Sequence, residues 1–137
     1  MIAKRIVYNE LYNDLKRHEI TILLGARQVG KTFLLKEIEK SLKTEGKKTV
    51  YYNLEIPNDL LKFKGSEKAI FETLTTTADV ILLDEFHYLK NASHLFKAVF
   101  DSGAKVKIHT AYRNISKSAR FAAGALVADA QVLRRGE

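Results

Sequence analysis

Residues Gly25-Ala26-Arg27-Gln28-Val29-Gly30-Lys31-Thr32 sit between a short apolar run, Glu19 to Leu24, and a segment with Phe33, Leu34, Leu35, Ile38 and Leu42 at three-to-four spacing. The octet satisfies the pattern G-x-x-x-x-G-K-[ST] in full. The apolar run reads as a buried strand and the spaced segment as a helix, so the loop must turn directly from one into the other. Gly25 can adopt the backbone angles of a tight turn, and Gly30 has no side chain to keep main-chain N–H groups away from a ligand. Those amides open a helix, where unpaired donors and the positive dipole end favour an anion. Lys31 would place an ammonium group between the β- and γ-phosphates of a nucleotide. Thr32 would offer a hydroxyl to Mg²⁺, a cation that accepts few protein oxygens. A chance glycine turn with a lysine rarely meets both the motif and its context at ordinary residue usage. The ligand implied is ATP with Mg²⁺, held by Gly25, Ala26, Arg27, Gln28, Val29, Gly30, Lys31 and Thr32.

The remaining periodicity extends the same plan. Ala3 to Arg17 carries Ile6, Val7, Leu11 and Leu15 on one helical face, and Thr49 to Leu54 reads as a second strand. Pro57 interrupts, after which Asn58 to Phe63 and Ser66 to Leu74 read as short helices. Val80 to Leu83 is a continuous apolar strand, Ser93 to Phe100 a helix, and Lys105 to His109 a last strand. Strands alternating with helices predict a three-layer α/β fold around a mostly parallel sheet. A chain of 137 residues has room for one such domain.

Ile81-Leu82-Leu83-Asp84-Glu85 delivers two carboxylates at the end of an apolar strand, the edge where parallel α/β sheets place their ligands. An acidic pair ending a strand means little alone; the phosphate loop upstream gives it a role. Asp84 would bind Mg²⁺ or a water on it. Glu85 would orient and deprotonate the attacking water. Catalysis is thereby assigned to Glu85 and Lys31, and metal binding to Thr32 and Asp84. The two segments are a Walker A and a Walker B motif, and the glutamate favours a hydrolase over a kinase.

Composition narrows the alternatives. The net charge is +7, and a basic surface attracts phosphate backbones, so a nucleic-acid partner is one reading. The lysines, however, are dispersed and paired with glutamates at helical spacing rather than clustered with aromatics. There is no cysteine, hence no disulfide or thiolate metal site, and no apolar run approaches a membrane span; a cytoplasmic location is expected. His87, His94 and His109 lack metal-ligand spacing. Glu55 reads as an exposed strand-end carboxylate or a phosphate-region contact, Arg27 as facing solvent or a neighbouring subunit, and Arg134 with Arg135 as a solvated tail.

The octet, Asn53-Leu54-Glu55 and Leu83-Asp84-Glu85-Phe86-His87-Tyr88-Leu89 together resemble a prokaryotic family of AAA-superfamily P-loop ATPases. The resemblance covers about residues 1–110. It implies ATP binding, the ASCE sheet order with the strand at Lys105 to His109 inserted between the phosphate-loop and Asp84 strands, a helical lid, a neighbouring subunit at the site and a further C-terminal domain. In that family a polar residue ending the inserted strand senses the γ-phosphate within a Thr-Gly-Ser-type segment. Thr110 matches the threonine, and Ala111 and Tyr112 replace the rest.

The composition changes at the same place. Fifteen lysines and three arginines precede Thr110, whereas one lysine and four arginines follow it. Seven alanines fall in the first 110 residues and seven in the last 27. Residues 1–110 are therefore expected to be a P-loop ATPase core, incomplete at its C-terminus. Residues 111–137 are expected to be an atypical, poorly packed tail arising from a reading-frame change. Mg²⁺-dependent ATP hydrolysis is the leading function; a non-hydrolysing nucleotide-binding fragment, a P-loop kinase and a nucleic-acid-binding module are the alternatives. The gene tests the tail: shifted by one base after codon 111, it should encode a family-like helix, and an early stop there would refute the frame change.

Overall fold

The computed structural model describes residues 2–17, 20–24, 30–112 and 125–126. Along the chain run α1 (Ile2–Asp14), β1 (Ile20–Leu24), α2 (Lys31–Thr44), β2 (Thr49–Asn53), α3 (Pro57–Leu61), α4 (Glu67–Thr76), β3 (Val80–Asp84), α5 (Ala92–Ser102), β4 (Lys107–Tyr112) and β5 (Ala125–Leu126). The strands form one sheet in the order β2-β3-β4-β1-β5, and every pairing is parallel. β4 thus lies between β1 and β3, as the family resemblance implied. No described helix is long and apolar enough to cross a membrane.

Strand side chains alternate between faces, and the two faces bury separate cores. Leu23, Val80, Leu82 and Ala111 pack with Leu11 of α1 and Leu34, Leu35, Ile38 and Leu42 of α2. Ile22, Ile81, Leu83 and Ile108 pack on the opposite side with Ile70 and Leu74 of α4 and Leu95, Phe96 and Val99 of α5. β3 is buried at all five positions, as a central parallel strand must be.

The helix ends follow local chemistry. After α2, Gly46 takes φ 83° while its amide bonds Lys43 O and that of Lys47 bonds Leu42 O. This is the double closure that needs a left-handed residue after the helix. Ser66 opens α4 by accepting from the Ala69 amide at 3.1 Å. Pro57, expected as a breaker, instead begins α3, because a first-turn residue has no intrahelical use for its N–H.

β4 is shifted from the expected Lys105 to His109, beginning later and running from Lys107 to Tyr112. Its polar residues hid it, yet two of them find buried partners on neighbouring elements. Thr110 donates to Leu83 O at 2.8 Å. His109 Nε2 lies 2.7 Å from Leu11 O, a carbonyl that the Leu15 amide leaves for Tyr12 O. His109 therefore caps the end of α1 from the sheet. Beyond Tyr112, the expected tail lies outside the described residues apart from β5, where Ala125 and Leu126 pair with Ile20 and Thr21.

Burial pushes the His109 imidazole down to about 4 from its ordinary 6.5, because desolvation penalises the charged ring. Between those values the unfolded chain binds the proton and the fold does not. The stability tied to neutral His109 is complete above the unfolded value and drains away as pH falls toward the folded one. On the order of 2 kcal/mol should be lost between pH 7 and pH 5. Denaturant titrations at both pH values should show a flatter dependence in His109→Gln, and an identical dependence in both chains would refute the assignment.

Candidate functional site

The functional residues converge where α2 begins and β3 ends. Gly30 stands at the N-cap of α2 with φ 73° and ψ 37°, a left-handed conformation that suits glycine. Lys31 follows, only 4% exposed. The first-turn amides of α2 have no intrahelical partners, so this end of the helix is suited to an anion. Gly25, Ala26, Arg27, Gln28 and Val29 lie outside the described residues, as do Arg134 and Arg135.

Asp84 closes β3 on the side of the sheet that carries α2, and is 1% exposed. The Thr32 hydroxyl donates to its Oδ2 across 52 positions of sequence. The Tyr51 hydroxyl donates to the same oxygen at 2.8 Å. Oδ1 is buried and has no hydrogen-bond partner among the described residues. Burial, with the Asp84 charge beside it, holds the Tyr51 phenol far above its ordinary range, so it remains a donor. A hydroxyl beside a buried carboxylate with one open oxygen is an all-oxygen donor set of the kind Mg²⁺ accepts; Thr32 and Asp84 fit the ion.

Glu85 takes φ 57° and ψ 49°, immediately before the 3-10 turn of Phe86–Tyr88. Its Oε1 lies 3.4 Å from His87 Nδ1, within charge contact but without hydrogen-bond geometry. Burial pushes the Glu85 carboxyl upward and the Asp84 charge adds to this, while His87 and Lys31 pull it back. A carboxylate raised in this way is a stronger proton acceptor.

Thr110 is brought near but faces elsewhere. It pairs in register with Leu83 and shares the side of the sheet of Ile108, which packs toward α4 and α5. Glu55 is exposed, and His94 pairs loosely with Glu67 at 3.4 Å. Tyr51 was not legible as a site residue. Its signal lies in the register that sets Asn53 against Asp84 and Tyr51 two residues earlier on the same face.

A left-handed backbone costs a residue with a side chain roughly 1 kcal/mol or more. We expect Glu85→Gly to raise the unfolding free energy by about 1 kcal/mol in denaturant titration. A less stable variant would mean that the Glu85 side chain serves the fold rather than the site.

A family model described as an AAA domain matches residues 17–118, past Thr110. Among solved structures, domain III of the replication initiation protein DnaA from Thermotoga maritima superposes with a TM-score of 0.61 at 23% identity, covering 95% of this chain and 60% of that one. AMPPCP-bound DnaA from Aquifex aeolicus gives 0.59 at 19% identity, with 94% and 44% covered. A DNA replication initiation factor gives 0.57 at 20% identity, with 91% and 41% covered. At these identities the likeness speaks for the fold, and the chain spans between about two fifths and three fifths of those three proteins. No curated protein matches it. With a P-loop strand order and more than half its length matched by that model, the chain belongs to the AAA domain family.

Proposed function

We propose that the chain binds Mg²⁺-ATP at residues 25–32 and hydrolyses it by in-line attack of water on the γ-phosphate. The hydrogen bond from Thr32 to Asp84 carries this reading, because it joins the phosphate-loop motif to the acidic strand end. The amides of the loop and of the first turn of α2 would cradle the phosphates. Lys31 would neutralise charge on the β- and γ-oxygens. Thr32 and Asp84 would hold Mg²⁺, which when bound supplies further charge neutralisation to the transferred group. Glu85 would orient the water and take its proton, a role that its upward-shifted carboxyl favours. A cytoplasmic setting belongs to the same proposal.

The similar structures lend support: one carries AMPPCP, an ATP analogue, and another carries AMPPCP with single-stranded DNA. A second reading is nucleotide binding without turnover. It is favoured by Thr110, whose hydroxyl is engaged with Leu83 O on the far side of the sheet from Asp84, an arrangement unlike a γ-phosphate sensor. We therefore expect slow hydrolysis by the chain alone, with a neighbouring subunit, a protein partner or DNA needed for more. The proposed core is residues 1–110 with 111–137 apart from it, although β4 and the family match argue for a somewhat later boundary.

Lys31→Ala should weaken ATP binding strongly while the circular dichroism of the fold persists. Glu85→Gln should keep Mg²⁺-ATP binding and lose turnover by about 100-fold or more. Unchanged ATP affinity in the first variant would sink the nucleotide site, and equally fast hydrolysis by the second would remove Glu85 as the base. Turnover with and without added DNA, and at rising chain concentration, separates a partner-dependent ATPase from a silent binder.

A further inference from the structure

Three elements meet at one carboxylate oxygen. Thr32 reaches Asp84 Oδ2 from α2, and Tyr51 reaches it from β2 at 2.8 Å. Tyr51 is itself held on both sides. The parallel register sets it beside Leu82, one inward-facing position before Asn53 and Asp84. The Lys36 ammonium lies 5.2 Å from its ring centre, a cation–π distance. Lys36 follows Thr32 by one helical turn, so a single face of α2 touches the carboxylate and covers the tyrosine.

A carboxylate on its own turns easily, because its terminal torsion is broad. Two donors converging on Oδ2 remove that freedom and leave Oδ1, buried and unpartnered among the described residues, as the oxygen for a cation. We propose that Tyr51 is a positioning residue for the metal side of the nucleotide site, fixing Asp84 through Oδ2 so that Oδ1 serves Mg²⁺ or a water bound to it. This rests on the Mg²⁺-ATP reading above. Tyr51 meets Asp84 Oδ2 and lies within side-chain hydrogen-bonding reach of Thr32, both on the metal side of the site. Donors behind a metal ligand orient it, and their loss typically costs about 10–100-fold in metal affinity. The phosphate side of the site, with its amides and Lys31, does not pass through Tyr51. Its hydroxyl should therefore influence the metal and not the nucleotide alone.

Tyr51→Phe removes the hydroxyl and keeps the ring under Lys36. The test titrates a fluorescent ATP analogue into the full chain in EDTA and at graded Mg²⁺, for the parent, Tyr51→Phe and Asp84→Asn. Tyr51→Phe should bind the nucleotide in EDTA within about twofold of the parent, yet need about tenfold more Mg²⁺ for half of the metal-dependent gain. Asp84→Asn should lose that gain. An unchanged Mg²⁺ midpoint in Tyr51→Phe, with the gain lost in Asp84→Asn, overturns the positioning role and leaves the nucleotide reading standing. Equal weakening with and without Mg²⁺ also overturns it, since that is the signature of a structural residue. A parent chain that binds no nucleotide overturns the Mg²⁺-ATP reading and this inference with it.

Discussion

A parallel sheet covered by helices on both faces offers polar chemistry one natural outlet, the rim at the C-terminal ends of its strands. Here β3 enforces that constraint. All five of its residues are buried, so its side chains before Asp84 can only pack. Asp84 is the position at which the strand meets the rim, and both its main chain and its side chain are used there. Its carbonyl accepts from the Leu54 amide at 3.1 Å, tying the β2 end to the β3 end. Its carboxylate collects Thr32 and Tyr51. The buried leucines and Ile38 of α2 set how high that helix rides on the sheet, and so bring Thr32 to the same oxygen.

Several departures from comfortable packing fall at this rim, though Asn91 and Thr21 show that such features also occur elsewhere. Lys31 is buried, Asp84 has an oxygen unpartnered among the described residues, and Glu85 holds a left-handed backbone without being glycine. The strained backbone and the open carboxylate oxygen are costly for folding alone, and such features at a strand end suit a preorganised binding site. His109 is a useful contrast. It is also buried and displaced in its protonation, but it meets the buried carbonyl of Leu11 near the end of α1. Its burial closes a helix end and serves cohesion between α1 and the sheet. Burial of a titratable group does not by itself mark a site; position on the rim does.

The phosphate-loop motif, the strand before it, the helix after it and the apolar run to Asp84 were all readable in the sequence, because each depends on residues adjacent along the chain. Apolar spacing in α2 and the continuous apolar β3 follow from local periods of 3.6 and 2. The glycine that closes α2 and the serine that opens α4 are local as well. From these the α/β class and the roles of Lys31, Thr32, Asp84 and Glu85 could be argued without coordinates. The extent of β4 could not, since Lys107, His109 and Thr110 show no apolar run. His109 and Thr110 are tolerated in a central strand because Leu11 O and Leu83 O, distant in sequence, face or accept from their polar atoms. Only the tertiary structure decided which side of the sheet each rim residue faces. Strand side chains alternate with a period of two, so the pairing of β2, β3 and β4 sends Tyr51 and Asp84 toward α2 and Thr110 away from it. Register between strands far apart in the chain is a property of packing, and no local pattern of residues encodes it.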